Sequence, residues 1–493
     1  MKKVVIIGAG IAGIAAAIRL ARNYRVIVLE KNSFLGGKLS EICLQDFRFD
    51  AGPSLFTLPE LVEELFEICG ESAKDFFTYQ KLPIICKYFY PDGTILFAYA
   101  NIENFVDEIA QKLGESPEDV KRFLQKAERI YKITKPVFLE KSLHQFSTYL
   151  SLTTLRSLLL GYEIDAFRTM HQANKSMFRN PKTVQFFDRY ATYNGSNPYQ
   201  APATLNVISH LEHCYGAFFP HQGMYSLAIA LTKLAKKRGV EFLTQTEAQK
   251  IIVRNSRAIA VQTNSQTIEC DYVISNADIM FTYRKLLSEH KAPEHILKQP
   301  RSSSALIFYW GINRQFSELE LHNIFFSQDY QKEFEAIFQQ KTIADDVTVY
   351  VFISSKIVFS DAPKDCENWF VMINVPPNSG QNWDELIVRA RQSIVRKINA
   401  ILNTDIEKLI VVESVLDPRK IEERTSSYGG ALYGNSSNTM FSAFLRHPNF
   451  SKKISNLYFC GGSVHPGGGI PLCMLSAKIA TSILMSKDGF KYL

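Results

Sequence analysis

The string GAGIAG at Gly8–Gly13 constrains this chain more than any other feature. It follows a continuous apolar run, Val4–Ile7, of the kind that forms a strand buried on both faces, and it opens an apolar-faced helix reaching to about Arg22. Arg25–Leu29 reads as a second strand, so the opening of the chain predicts one βαβ unit. Each glycine has a separate job in such a turn. Gly8 makes the tight bend at the end of the strand, Gly10 lets backbone approach a pyrophosphate, and Gly13 lets the helix pack on the sheet. The helix N-terminus offers free N–H groups and a positive dipole to the phosphates. Glu30 closes the second strand, twenty residues beyond Gly10, where a carboxylate can accept both ribose hydroxyls. The pattern predicts a bound dinucleotide, and by itself it allows NAD or FAD equally. Lys2 and Lys3 ahead of an apolar run imitate a secretory leader, but a leader has no use for three glycines in register with a second strand and an acidic residue.

At 493 residues the chain predicts two or three folded units, and 46% hydrophobic residues supply sizeable cores. The eight cysteines are scattered singly with no CxxC pair. They read as buried thiols of a reducing, cytoplasmic compartment, and no metal is expected. Past the N-terminal run, no stretch offers the roughly 20 consecutive apolar residues of a membrane-spanning helix. The net charge of +7 is concentrated in one segment, since residues 121–190 hold 13 Lys and Arg against five acids. Nothing in that pattern asks for nucleic acid, and no repeat or low-complexity stretch interrupts the chain.

Periodicity divides the sequence. Residues 1–80 are expected to begin the dinucleotide domain, with a helical pattern from about Pro59 to Gly70. Residues 81–101 start a second sheet, with two strand-like runs flanking the turn Pro91–Gly93. Residues 102–215 read as helical and basic, with ESPED (Glu115–Asp119) as a helix start and Pro136, Pro181 and Pro198 as breaks. Residues 216–300 return to the first domain, 301–440 complete the second sheet, and 441–493 return once more. That last stretch holds a short strand at Asn456–Cys460, a glycine-rich loop at Gly461–Pro471 and a closing helix at Leu472–Met485.

Further motifs narrow the cofactor. Gly36, Gly37 and Lys38 follow the second strand, then FDAGPSLF (Phe49–Phe56), and near the far end CGGSVHPGGGIPLCMLSAKIA (Cys460–Ala480). This set resembles the large flavoprotein group that includes amine oxidases, protoporphyrinogen oxidases and carotenoid desaturases. The resemblance implies FAD in an α/β fold: a Rossmann-like FAD-binding domain of the glutathione reductase type, a discontinuous mixed-sheet substrate domain, and a helical region expected at a membrane surface. It places cofactor contacts at Gly8, Gly10, Gly13, Glu30, Lys31, Gly37, Lys38, Gly52, Pro53, Ser54 and Ala248. On the distant loop and helix it adds Gly462, Ser463, Gly469, Ile470, Pro471 and Met474.

Three middle segments, Met177–Pro202, His210–Leu231 and Cys270–Asp278, are similar in order and wording to bacterial carotenoid desaturases of the phytoene desaturase type. RYATYNGSNPYQAP (Arg189–Pro202) resembles the subgroup that introduces 3,4 double bonds into 1-hydroxylated carotenoids. Gln222 and Leu472 stand where the family commonly shows glycine. The resemblance implies a lipophilic carotenoid substrate, with oxygen or a quinone as electron acceptor. A phytoene or diapophytoene desaturase, a carotenoid isomerase and a non-enzymatic prenyl-lipid escort remain as alternatives, and a soluble amine oxidase is disfavoured. The basic segment with its apolar residues agrees with a protein peripheral to a membrane, and Leu143, Phe146, Tyr149, Leu150, Leu152, Leu155, Leu158, Leu159 and Leu160 are the expected insertion residues.

Desaturation removes two hydrogens from adjacent carbons while the polyene itself spreads the charge, so the chain's catalytic signature should be weak. Asp188, Arg189 and His465 are the residues able to accept or relay a proton, each with an ordinary structural alternative. Tyr193, Asn194, Ser196 and Asn197 are the expected selectors of a substrate hydroxyl.

Overall fold

The computed structural model describes residues 1–490 apart from Met440 and Ala443. The N-terminal βαβ unit forms the middle of a five-stranded parallel sheet ordered Leu457–Phe459, Tyr272–Ser275, Lys3–Ile7, Arg25–Leu29, Glu241–Leu243. Its strands therefore come from three distant stretches of chain. Parallel strands buried on both faces need apolar residues at successive positions, and Val4, Val5, Ile6 and Ile7 are all buried. The first helix, Ile11–Leu20, lies under the sheet beside the C-terminal helix, Ile470–Lys487. Ala12, Ala15, Ala16, Ala477 and Ala480 are buried in the same core, and their small side chains let the two helices approach closely. Ile470–Lys487 is long and apolar enough to cross a membrane, yet more than half of it is buried within the protein. It starts two residues earlier than the sequence suggested, because Pro471 is tolerated in a first turn, where its missing N–H has no helical partner.

The second sheet has seven strands, ordered Ile410–Leu416, Ser304–Ile312, Glu367–Val375, Val349–Phe352, His322–Phe325, Ile84–Phe89, Ile95–Tyr99. All pairs are antiparallel except His322–Phe325 with Ile84–Phe89. One face packs on the helix Trp383–Leu402: Leu306, Phe308, Trp310, Trp369 and Val371 share a core with Trp383, Leu386, Ala390, Ile394 and Ile398. The alternate residues, Ala305, Ile307, Phe370 and Met372, point the other way and line a cavity, as the period of two in a strand requires.

The helical segment is built on caps that the sequence announces. Asn101 caps Ile102–Leu113, Gly114 ends it with φ 69°, and Ser116 caps Pro117–Thr134 with Pro117 in the first turn. The excess charge of this segment is offset only in part, by Asp92, Glu103, Asp119 and Glu212 from outside it, although most of its bases are paired. Lys121, Arg122, Lys126, Arg129, Lys132, Lys135, Arg168, Lys182 and Arg189 all lie within ion-pair distance of carboxylates. Its apolar side chains divide too. Phe146, Tyr149, Leu150, Leu155, Leu159 and Leu160 are exposed, whereas Leu143 is buried, contrary to its expected role in insertion. The side chains of Leu152 and Leu158 lie outside those described. Cys43, expected as a buried thiol, is exposed on the hairpin Glu41–Leu44/Phe47–Asp50.

Candidate active site

One continuous cavity runs from the ends of the parallel strands to the inner face of the seven-stranded sheet, with about 2820 Å³ of space free of protein atoms, part of it open to solvent. At its first end, Gly8 adopts φ 93° and donates its N–H to Leu29 O at 2.8 Å, which sets the tight bend. A Cβ on Gly13 would lie 2.2 Å from Gly8 O, and one on Gly37 would lie 3.0 Å from Gly10 Cα. The two glycine turns are thus packed backbone on backbone. The first helix begins at Gly10 with no side-chain cap and no acid in its first turn, and the C-terminal helix begins at Gly469 in the same manner. Two uncapped helix N-termini face one cavity, a donor set suited to a pyrophosphate and a polyhydroxyl chain.

Glu30 is 5% exposed, and three of its acceptor positions are taken. Oε2 accepts from Ala9 N at 2.9 Å, and Oε1 accepts from Asn32 N at 2.9 Å and Asn32 Nδ2 at 2.8 Å. A carboxylate has room for about four such bonds, so one position on Oε2 stays open toward the cavity. Lys31 donates to Ser426 Oγ at 2.9 Å and to Glu423 O. Ala248 lines the same end.

Gly37, Lys38, Gly52, Pro53 and Ser54 line the same cavity, together with Gly462, Ser463, Gly469, Ile470 and Pro471. A Cβ on Gly52 would sit 1.8 Å from Lys38 O, which accounts for the glycine in FDAGP. Asp50 of that motif accepts from Met224 N at 2.8 Å and Tyr225 N at 3.0 Å, and so fixes the start of the helix Tyr225–Lys237. Lys38 is partly buried in the cavity wall, donates to Leu432 O at 2.7 Å, and has its ammonium pushed down to about 8 by desolvation. Gly13 and Met474 do not line the cavity: Gly13 acts through helix packing, and Met474 is buried in the core. Every other cofactor position implied by the sequence faces this space.

Asn276 was missed. Its Nδ2 donates to Gly8 O at 3.0 Å, a Cβ on Gly10 or Gly13 would meet that nitrogen at 2.9 Å, and one on Gly461 would lie 2.7 Å from its Oδ1. One amide therefore ties the first glycine turn to the last. Its signal was available, because Asn276 ends a strand in CDYVISNAD, and strand ends at the switch point of an open α/β sheet carry ligand contacts.

The far half of the cavity is lined by Ile85, Cys86, Ile307, Ile324, Phe370, Met372 and Leu416, together with a few polar groups. Arg189 and Tyr193 reach it. Arg189 Nη2 donates to Tyr88 OH at 2.6 Å and stands 3.6 Å from Glu212 Oε1, while its guanidinium lies about 5 Å from the rings of Tyr88, Tyr190 and Tyr193. Tyr190 donates to Glu212 Oε1 at 2.8 Å, and Tyr193 donates to Oε2. Surrounding tyrosines and Glu212 hold Arg189 well above its ordinary range, so it is a fixed cation, not the proton acceptor expected from the sequence. Asp188 points elsewhere. It accepts from Asn174 Nδ2 at 2.8 Å and pairs with His171 Nδ1 at 2.6 Å, outside the cavity lining. His465 is buried outside the lining as well, with Nε2 donating to Lys141 O at 2.9 Å and its ring held down at about 3 by burial.

Of the four expected hydroxyl selectors, only Tyr193 lines the cavity. Asn194 donates to Ser437 Oγ at 2.7 Å and accepts from Arg446 Nη2 at 3.4 Å. Ser196 accepts from Ser437 N at 2.9 Å, and Asn197 N donates to Asn438 Oδ1 at 2.8 Å. These three fasten the 435–438 segment, a role set by tertiary contacts some 240 residues away in sequence and therefore invisible beforehand.

With this geometry in place, the comparisons are specific. Residues 11–484 match the family described as flavin containing amine oxidoreductase. The chain is 51% identical to a 1-hydroxycarotenoid 3,4-desaturase of Flavobacterium sp. (strain P99-3), across 98% of this chain and 99% of that protein. It is 32% identical to a 4,4'-diaponeurosporene oxygenase of Staphylococcus aureus (strain MRSA252), across 97% of both. Among solved structures, putrescine oxidase bound to putrescine superposes with a TM-score of 0.65 at 12% identity, covering 98% of this chain and 99% of that one. Cyclohexylamine oxidase from Brevibacterium oxydans gives 0.64 at 12% identity, covering 99% and 100%. At that identity the structures speak for the fold alone.

Proposed function

The chain belongs to the flavin-containing amine oxidoreductase family, and from that premise we propose that it is an FAD-dependent carotenoid desaturase that introduces the 3,4 double bond of a 1-hydroxycarotenoid. The observation that carries this reading is the single cavity, with a dinucleotide cradle at one end and an apolar sheet face at the other. The cradle fits FAD through the open acceptor on Glu30, the two uncapped helix N-termini and the glycines whose missing Cβ atoms leave room for a close approach. The 51% identity along the whole chain supports the substrate class.

FAD, held by Glu30 and the glycine turns, would supply a two-electron acceptor for the removal of two hydrogens from adjacent sp³ carbons, with oxygen or a quinone as the final electron acceptor. The protein's own part is positioning and drying. Ile85, Ile307, Ile324, Phe370 and Met372 present an apolar wall that holds a polyene and excludes water. Among the described residues, no carboxylate lines this half, in keeping with a reaction whose charge is spread by the substrate. Lys38 places a cation in the cavity wall, against the carbonyls of Ala431 and Leu432.

A substrate this insoluble arrives from a bilayer, and the exposed apolar residues Phe146, Leu150, Leu155 and Leu159 are the proposed contact. Phe441, Phe444 and Leu445 extend the patch, since Phe444 packs against Phe138 with ring centroids 5.7 Å apart. Because the segment keeps a net positive charge after its ion pairs are counted, attraction to anionic lipid adds to apolar insertion.

The test is incubation of the FAD-loaded protein and liposomes with acyclic carotenoids that carry or lack the 1-hydroxyl. Desaturation appears as a loss of two hydrogens by mass with a red-shifted spectrum. An unchanged mass with a shifted spectrum indicates isomerisation, and a gain of oxygen indicates the activity named for the staphylococcal relatives; either result replaces the proposal. A protein that takes up no FAD and only binds the carotenoid is an escort.

A further inference from the structure

Resting on the desaturase reading, we propose that His322 is the residue that recognises the tertiary hydroxyl of the substrate. His322 and Ile324 occupy alternate positions on the strand His322–Phe325, and both side chains line the apolar half of the cavity. His322 is 3% exposed, and Nδ1 is engaged with Tyr350 OH at 2.8 Å, whereas Nε2 is buried without a hydrogen-bond partner. Burial in this apolar wall, with the Arg189 cation nearby, keeps the ring neutral. A neutral imidazole with Nδ1 occupied presents either one N–H or one lone pair at Nε2, depending on the tautomer. A hydroxyl answers both, because it donates and accepts, while the hydrocarbon end of a non-hydroxylated carotenoid answers neither.

The position of the imidazole agrees with the regiochemistry. In a 1-hydroxycarotenoid the oxygen is three bonds from C3 and four from C4, so whatever holds the hydroxyl stands beside the bond being oxidised. Tyr350 OH, which holds His322, is itself bonded to Ser54 Oγ at 2.7 Å, and Ser54 belongs to the Gly52–Ser54 turn that lines the same cavity as the glycine-rich C-terminal loop. His322 is therefore two hydrogen bonds from the turn assigned to the cofactor. Tyr193, the sequence-based choice that does reach the cavity, has its hydroxyl committed to Glu212. Ser54, Tyr350 and His322 form a fixed chain that ends in an unfilled hydrogen-bonding position, and the substrate hydroxyl completes it.

The experiment compares the parent protein with His322→Leu, His322→Gln and Tyr330→Phe, since the Tyr330 ring lines the same space. Each is given a 1-hydroxylated acyclic carotenoid and its 1-deoxy analogue, with kcat/KM, carotenoid binding by absorbance shift, and FAD content by visible absorbance as readouts. His322→Leu is expected to lower both kcat/KM and binding for the hydroxylated substrate by about ten- to a hundredfold, the span set by losing one buried hydrogen bond. The analogue's values stay level, His322→Gln recovers part of the preference, and Tyr330→Phe leaves it intact. An unchanged preference in His322→Leu, an equal fall for both substrates, or a preference lost in Tyr330→Phe overturns the assignment. If His322→Leu fails to hold FAD, the preference of His322→Gln decides: a retained preference for the hydroxylated substrate, reduced from the parent, at parental FAD content supports a polar contact there, and no preference with full activity on both substrates refutes it. A parent protein that converts neither carotenoid ends the desaturase reading first, and that outcome is distinguishable from the loss of selectivity alone.

Discussion

Replacing Glu30 by Gln separates what this carboxylate does for the fold from what it does for the cofactor. Oε1 accepts from Asn32 N and Nδ2, and Oε2 accepts from Ala9 N, with one acceptor position left facing the cavity. A glutamine carbonyl can serve one side only. With its oxygen toward Asn32, its NH₂ confronts the Ala9 N–H, donor against donor, and nothing accepts a ribose hydroxyl. Leaving the buried Ala9 N–H unpaired costs about 1–3 kcal/mol of folding stability whether or not cofactor is bound. Losing a charge-assisted bond to the ribose costs about 1.5–3 kcal/mol of binding, or about 10- to 150-fold in Kd. Chemical denaturation of the apoprotein reads the first quantity, and titration of apoprotein with FAD, followed by flavin fluorescence, reads the second. A stability loss of the expected size with an FAD Kd within about threefold of the parent would refute the ribose contact and leave Glu30 as a brace for the glycine turn.

Three further outcomes are expected. Gly13→Ala, whose Cβ would sit 2.2 Å from Gly8 O, should destabilise by about 1–3 kcal/mol through overpacking despite the better helix propensity of alanine, and should lower FAD occupancy at purification. The Lys38 ammonium, held at about 8 in the folded apoprotein against an ordinary value near 10.5, is an unfavourable buried cation below pH 8, and that cost is relieved as pH rises from about 8 toward 10.5. Because FAD brings negative charge to the cavity, its binding favours the protonated form, so Kd should weaken by up to about tenfold per pH unit above 8. That slope should vanish in Lys38→Gln, and a flat Kd to pH 9.5 in the parent would count against Lys38 facing the cofactor. Phe146→Glu combined with Leu150→Glu should abolish flotation with liposomes while leaving FAD content unchanged, and undiminished co-flotation would move the docking surface elsewhere.

Much of the dinucleotide end was legible in advance because its chemistry is local. Gly8, Gly10 and Gly13 are needed where backbone conformation or backbone approach forbids a Cβ, and that need is written within six consecutive residues. Helix starts at Asn101 and Ser116 were legible for the same reason, since a cap and the N–H groups it satisfies are neighbours in sequence. Asp188 misled because a carboxylate inside a family-like segment looks the same whether it faces a substrate or, as here, pairs with His171 and Asn174. The same ambiguity sent Asn194, Ser196 and Asn197 toward the substrate when the fold spends them on the 435–438 segment.

The amino-acid order by itself determined the βαβ unit and the dinucleotide class, while the flavin followed from the family resemblance carried by the paired glycines and the distant loop. The first two signals depend on backbone geometry over a few residues, which side-chain identity encodes directly. Only the tertiary structure decided which face of each strand in the seven-stranded sheet lines the cavity, sending Leu306 and Phe308 to the helix and Ala305 and Ile307 to the substrate side. In a strand buried on both faces the apolar pattern carries no period, so sequence is silent on direction. The same holds for His322 and for Asn276. A lone imidazole in an apolar strand and a lone amide after one become sites only when chain from elsewhere, Tyr350 and Ser54 for the first and the loops at Gly8 and Gly461 for the second, is folded against them.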